Sequence, residues 1–177
     1  MAYYLQLERD KWGNKGQLVT TLANGDTETI SYSYDALNRL SSVSNAAGTS
    51  SYGYDAVGNR TSLTSANGAS QTWAYDSCNR LTQTTIYNAS GAVIQSFDYT
   101  LHATGRRTQI TENNGRTSDY SYNDLYWLTS ETISDAVNGD YSASYQYDSV
   151  GNRTQSDEDG VNPPACGLQL LSSRSYA

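Results

Sequence analysis

Short stretches of strict alternation recur along the chain. In Thr29-Ile30-Ser31-Tyr32-Ser33-Tyr34 every second residue from Ile30 is apolar or aromatic, and the residues between are small and polar. A period of two marks a strand with one covered face. Tyr52-Gly53-Tyr54, Trp73-Ala74-Tyr75, Tyr120-Ser121-Tyr122 and Tyr145-Gln146-Tyr147 repeat the pattern. Returning strands are predicted over residues 39–44, 60–64, 80–87, 108–112 and 128–133. No window carries the 3.6-residue period of a helix. The pattern predicts an all-β chain, a continuous antiparallel meander of β-hairpins.

The residues between the strands support this. Asp35-Ala36-Leu37-Asn38 reads as a type I turn followed by a left-handed residue. Aspartate accepts backbone N–H bonds at the first position, and asparagine tolerates positive φ. Gly58 falls at the same offset from Asp55, giving a three-residue loop with a bulge. Positive φ is therefore predicted at Asn38, Gly58, Asn79 and Gly151, whereas Tyr126 at the equivalent offset predicts strain or a local rearrangement. Asn24-Gly25, Ala47-Gly48, Asn67-Gly68, Ser90-Gly91, Asn114-Gly115 and Asn138-Gly139 supply turns between hairpins.

The hairpins are copies of one another. Tyr52-Gly53-Tyr54-Asp55-Ala56-Val57-Gly58-Asn59-Arg60-Thr61 nearly repeats as Tyr145-Gln146-Tyr147-Asp148-Ser149-Val150-Gly151-Asn152-Arg153-Thr154. Shorter relatives begin at Tyr32, Trp73 and Tyr120, a worn copy at Leu7, and a copy at Tyr99 in which His102 replaces the aspartate. Starts at 7, 32, 52, 73, 99, 120 and 145 leave spacings of 20 to 26 residues. From the capping position to the base takes five steps in the units at 7, 52, 99 and 145, and four in those at 32 and 73; the unit at 120 follows the four-step form with Trp127 in the base's place. This reads as alternating loop length, with a pair of units, about 45 residues, as the full period. The recurring positions are Tyr32, Tyr34, Asp35 and Arg39; Tyr52, Tyr54, Asp55, Gly58 and Arg60; and Tyr75, Asp76 and Arg80. In the second half they are Tyr99, Gly105 and Arg107, Tyr120 and Tyr122, then Tyr145, Tyr147, Asp148, Gly151 and Arg153. Residues 1–155 form the array. Pro163 and Pro164 cannot donate to a ladder, so residues 156–177 read as an irregular tail.

Composition narrows the function. Only 37% of residues are hydrophobic, but 11% are aromatic, which argues for ordered strands with polar outer faces. A net charge of −7 without a basic cluster counts against nucleic-acid binding. No apolar run is long enough to span a membrane, and residues 1–10 lack the features of a signal peptide. Cys78 and Cys166 are too few and too far apart for a disulfide framework or metal site, and Cys78 reads as a turn residue.

The Tyr-x-Tyr-Asp-x-x-Gly-Asn-Arg-Thr signature resembles the YD repeat of the Rhs family. That family includes bacterial Rhs polymorphic toxins, wall-associated toxin proteins, the B and C components of Tc toxins, and teneurins. The resemblance covers residues 7–155. It implies a β-ribbon wound into a spiral shell, an open wall here, that in the family encloses and delivers a C-terminal effector. The family's self-cleaving aspartate motif and toxin domain do not occur in the chain. The resemblance thus implies a fragment of shell wall, secreted or at the cell surface, whose partners are the rest of the shell or its effector.

The residues themselves offer little chemistry. His102, the single histidine, sits in a turn where Nδ1 imitates the aspartate cap, with no triad or zinc constellation around it. Asp35, Asp55, Asp76 and Asp148 recur with the repeat, as caps do. Asp157-Glu158-Asp159-Gly160 lacks the later ligands of a calcium loop and reads as a solvated turn. The sequons at Asn59, Asn88 and Asn152 read as incidental. The expectation is a non-enzymatic structural protein without cofactor or metal. The paired tyrosines share a face and are expected to stack as an aromatic ladder. The alternative function is a cell-surface carbohydrate-binding module using that Tyr-lined face. Uncapped terminal strands predict self-association through open edges.

Overall fold

The computed structural model describes residues 4–160. Within them lie only strands and turns. Strands β1 (Tyr4–Arg9), β2 (Lys15–Thr21), β3 (Thr27–Tyr34), β4 (Leu40–Asn45), β5 (Gly48–Tyr54), β6 (Arg60–Thr64) and β7 (Ser70–Tyr75) come first. Then follow β8 (Leu81–Tyr87), β9 (Val93–Leu101), β10 (Arg107–Glu112), β11 (Thr117–Tyr122), β12 (Leu128–Ser134), β13 (Tyr141–Tyr147) and β14 (Arg153–Gly160). Hydrogen-bonded neighbours follow chain order, so the chain is an all-β meander without a crossover. Two compact units divide it, one ending at Asp98 and the other starting at Tyr99.

Every signature hairpin closes with the same loop. The N–H of the capping residue donates to the carbonyl four residues on, and the N–H three residues on returns to the cap's carbonyl. Asp35 and Arg39, and Asp55 and Asn59, show the first bond at 2.8 and 2.9 Å. The residue at the third step is left-handed throughout: Gly13, Asn38, Gly58, Asn79, Gly105, Tyr126 and Gly151. A bulge before the last strand residue pairs Tyr34 with Leu40 and Tyr54 with Arg60, six residues apart in both cases. Loop length therefore does not alternate, contrary to the reading of the base positions. What alternates is the Asn-Arg dipeptide, displaced by one position on a constant loop.

In the first unit the pleat sorts side chains by face. Leu7, Leu18 and Ile30 form one row, Tyr32 and Val43 another, and Tyr52, Leu63, Gln71 and Ile86 a third on the same face. The opposite face carries Ser33, Ser42, Ser51, Thr64 and Ser70. The tyrosines do share a face but do not stack on one another across adjacent strands. Each Tyr-x-Tyr strand is flanked by returning strands, which place Val43, Leu63 or an arginine opposite the rings.

In the second unit Tyr120 faces Glu131, and Tyr122 faces Leu128. Tyr145 faces Ser156, and Tyr147 faces Arg153. Its core is small: Ile133, Tyr141 and Ala143 are buried, with Tyr145 packed on them. Residues 157–160 are paired strand, with Asp157 opposite Ser144 and Glu158 opposite Ala143. This corrects the reading of that stretch as a turn. The proline-bearing part of the tail, from residue 161 on, lies outside the described residues, as does Cys166.

Candidate functional site

The recurring side chains converge on the contacts between successive hairpins. Each begins with the cap. Asp55 Oδ1 accepts the N–H groups of Val57, Gly58 and Asn59 at 2.8 to 3.1 Å. Asp35 accepts those of Leu37 and Arg39, and Asp76 those of Cys78 and Arg80. Asp148 takes the N–H groups of Val150 and Asn152. The second carboxylate oxygen takes whatever side chain occupies the fourth position. That is Asn59 Nδ2 at 2.9 Å and Asn152 Nδ2 at 2.8 Å, but Arg39 Nε and Arg80 Nε at 2.7 Å.

The carboxyls are held below their ordinary range accordingly. At Asp35 and Asp76 the backbone N–H of the following arginine is the main cause, and at Asp148 the Asn152 amide. At Asp55 partial desolvation pushes upward, and the combined Asn59, Gly58 and Val57 bonds outweigh it. His102 fills this role by a ring nitrogen: Nδ1 lies 2.9 Å from Thr104 Oγ1 and 3.3 Å from its N–H. The short hairpin at 120 uses Asn123 Oδ1, which accepts from Leu125 and Trp127.

The displacement of Asn-Arg then creates two alternating contacts. From a long unit to the next short one, the asparagine at the fourth position meets the left-handed asparagine at the third. Asn59 Nδ2 donates to Asn79 Oδ1 at 3.0 Å, and Asn14 and Asn38 exchange amide bonds in the same way. Arg60, one position further on, lies 4.4 Å from the Trp73 ring. From a short unit to the next long one the partner is an arginine. Arg39 lies 4.5 Å from the Tyr54 ring centroid, and its Nη1 donates to the Asp55 carbonyl at 3.0 Å. Arg107 and Arg153 cover rings of their own hairpins, Tyr99 and Tyr145.

In four hairpins the second ring of the pair, a tyrosine, supplies a further tie. Its hydroxyl donates to the carbonyl of the first residue of the preceding hairpin's returning strand. The bonds run from Tyr54 to Leu40, Tyr75 to Arg60, Tyr122 to Arg107 and Tyr147 to Leu128, at 2.7 to 3.0 Å. These four tyrosine hydroxyls are thus committed to backbone.

Carboxylates gather in the second unit. Arg116 bonds Glu112 at 2.6 Å and lies 3.6 Å from Asp135, both buried. Glu131 sits on the tyrosine face, where burial raises its carboxyl above the usual range against the pull of Arg116 and Tyr120. Burial, with Tyr145 and Glu158 nearby, pushes Tyr141 up to about 12. Among the described residues no group of His, Cys, Asp and Glu is arranged to hold a metal ion.

Sequence reasoning found the caps, the left-handed positions and the tyrosine pairs. It missed Asn14, Asn59, Arg106, Trp127 and Glu131. The asparagines were legible in the one-residue shift of Asn-Arg, since only that shift lets a fourth-position amide meet a third-position one.

These hairpins match known proteins. The RHS Repeat family profile matches residues 14–50, 34–70 and 54–93. No curated protein sequence shows significant similarity. The solved structure TcdB2-TccC3-TEV is similar in fold at TM-score 0.57 and 17% identity, covering 88% of this chain and 11% of that one. TcdB2-TccC3-Cdc42 is similar at TM-score 0.57 and 18% identity, over the same shares. The chain therefore spans a small part of the length of the structures it resembles. Three overlapping family matches over residues 14–93, a shared fold and a repeated hairpin with one turn chemistry make the chain similar to the RHS repeat family.

Proposed function

We propose that the chain is a non-enzymatic segment of an RHS-type shell wall, whose work is mechanical. The observation that carries this is the use of the signature: aspartate on turn N–H groups, tyrosine hydroxyl on the preceding hairpin's backbone, arginine on a ring or carboxylate. Each recurring feature of the repeat holds one hairpin to itself or to its neighbour. Its partners are further shell strands or an enclosed effector, and the setting is outside the cell or at its surface. The shared fold with TcdB2–TccC3 supports the reading. The Tyr-lined sheet face as a carbohydrate platform gains no support, because Tyr54, Tyr75, Tyr122 and Tyr147 bond backbone carbonyls.

The test is sedimentation velocity of the purified chain over a wide concentration range. Among the described residues β1 and β14 are the outermost strands of the sheet order, so reversible association through their outer edges is expected. Proline at Gln155, within β14, is expected to reduce it. A monomer at every concentration would sink the shell-wall reading.

A further inference from the structure

The array breaks its own rules most densely where the hairpins at 99 and 120 meet. His102 stands where the other long units have aspartate, and Asn123 where the short ones have it. Two carboxylates of the repeat are thereby missing from one place. The bases are not: Arg106 and Arg107 occupy the fourth and fifth positions together. In the hairpins at 32 and 73 a fourth-position arginine pairs with its own cap, as Arg39 does with Asp35. Arg106 meets the imidazole turn instead, and among the described residues it forms no ion pair. Its Nη1 is buried without a hydrogen-bond partner. A buried donor left in that state calls for a physical explanation.

The neighbouring position departs as well. Tyr126 takes φ of 73° where Asn38 and Asn79 sit at 64° and 60°. A left-handed tyrosine is costly, and such outliers gather at ligand sites. The Arg106 guanidinium lies 3.8 Å from the Tyr126 centroid and 5.1 Å from that of Tyr122. An open cavity of about 480 Å³ lies here, lined by His102, Arg106, Tyr120, Tyr122, Asn123 and Tyr126, with hydroxyls of Thr104 and Ser121. That is within the size range of small-ligand sites, roughly 300–1,000 Å³. Asp124 is the one carboxylate in the lining.

We propose that this cavity binds a carboxylated saccharide. The carboxylate replaces the deleted cap as the anion for Arg106, and a sugar ring lies against the exposed Tyr126 ring, with hydroxyl and amide groups around it. The site is at the turn edge of the second unit, where Tyr120 and Tyr122 bring the end of the tyrosine face into its lining.

The test is calorimetry of the full chain with oligogalacturonate, its methyl ester and a glutamate peptide. Binding of the acid is expected, about tenfold weaker or more for the ester. Arg106→Gln is expected to abolish it. His102→Asp and Tyr126→Asn return the site to the repeat's own residues, so they are expected to hold or raise Tm while weakening binding about tenfold or more. No binding of oligogalacturonate at about 10 mM overturns the proposal. So does equal binding of the ester, binding of the glutamate peptide alone, or unchanged binding in His102→Asp and Tyr126→Asn.

Discussion

Trp127 stands to Tyr147 as Arg39 stands to Tyr54. The indole and phenol rings lie 5.3 Å apart at 46°, in the place where the hairpin at 32 sets a guanidinium over a ring. A change at the fourth position of one turn is met by a contact in the next. The same indole crowds Gly151, where an added Cβ would lie 2.9 Å from Trp127 Cζ2, whereas one on Gly58 would meet nothing within 4 Å.

Alanine at either glycine has to adopt positive φ, at roughly 1–2 kcal/mol. Gly151→Ala is expected to cost more than Gly58→Ala by denaturant melts. The excess should vanish in a Trp127→Ala background. Equal costs in the parent chain would mean the indole moves aside freely.

The tyrosine ties separate from ring packing by removing the oxygen alone. Tyr75→Phe and Tyr147→Phe are each expected to cost about 0.5–1.5 kcal/mol, the net worth of one hydrogen bond. Tyr32→Phe, outside the set of hydroxyls that tie hairpin to hairpin, serves as the comparison in thermal melts.

The amide pair predicts an order at Asn79. Asn79→Gly keeps positive φ but loses the bond from Asn59, whereas Asn79→Ala loses both. Chemical denaturation should rank the wild type above the glycine variant, and the glycine variant above the alanine one. In an Asn59→Ala background the amide bond is already gone, so the further cost of Asn79→Gly should shrink. An unchanged cost would place the effect in the turn rather than in the contact between hairpins.

Acid should weaken the turns. The caps Asp35, Asp55, Asp76 and Asp148 titrate below their ordinary 3.8 when folded. Between that ordinary value and the lowered folded one the unfolded chain holds more protons, so stability rises with pH. The contribution is complete above about pH 5 and is lost as pH falls through the folded values. Thermal melts should show this decline below about pH 4, and Asp55→Asn should flatten it.

Glu131 has the opposite sign. Its folded pKa lies above the ordinary 4.5, so the folded state holds the proton more tightly, and its carboxylate costs stability at neutral pH. Glu131→Gln is expected to raise Tm at about pH 7, with the gain shrinking as pH falls through the raised value toward the ordinary one. A gain that persists unchanged at about pH 3 would place its cause in packing instead.

The alternation of Tyr32 and Tyr34 with serine, the aspartate at each turn and the left-handed Asn38 and Gly58 were legible because they depend on near neighbours. A period of two, an Asx cap and a positive φ each involve only a handful of consecutive residues, so the chain states them outright. The meander follows from them, since short turns at both ends of every hairpin leave adjacent pairing as the available topology. Spacing alone, however, read the alternating base as a change in loop length. Only the folded sheet shows a constant loop and a moving dipeptide, because the bulge that fixes Tyr34 opposite Leu40 is set by the partner strand. It likewise took adjacency of successive hairpins to join Arg106 to Tyr126 and Trp127 to Gly151, and pairing within one hairpin to set Glu131 opposite Tyr120. Local chemistry determined the hairpin, and the distances between hairpins decided which exceptions compensate one another and where an arginine was left without its carboxylate.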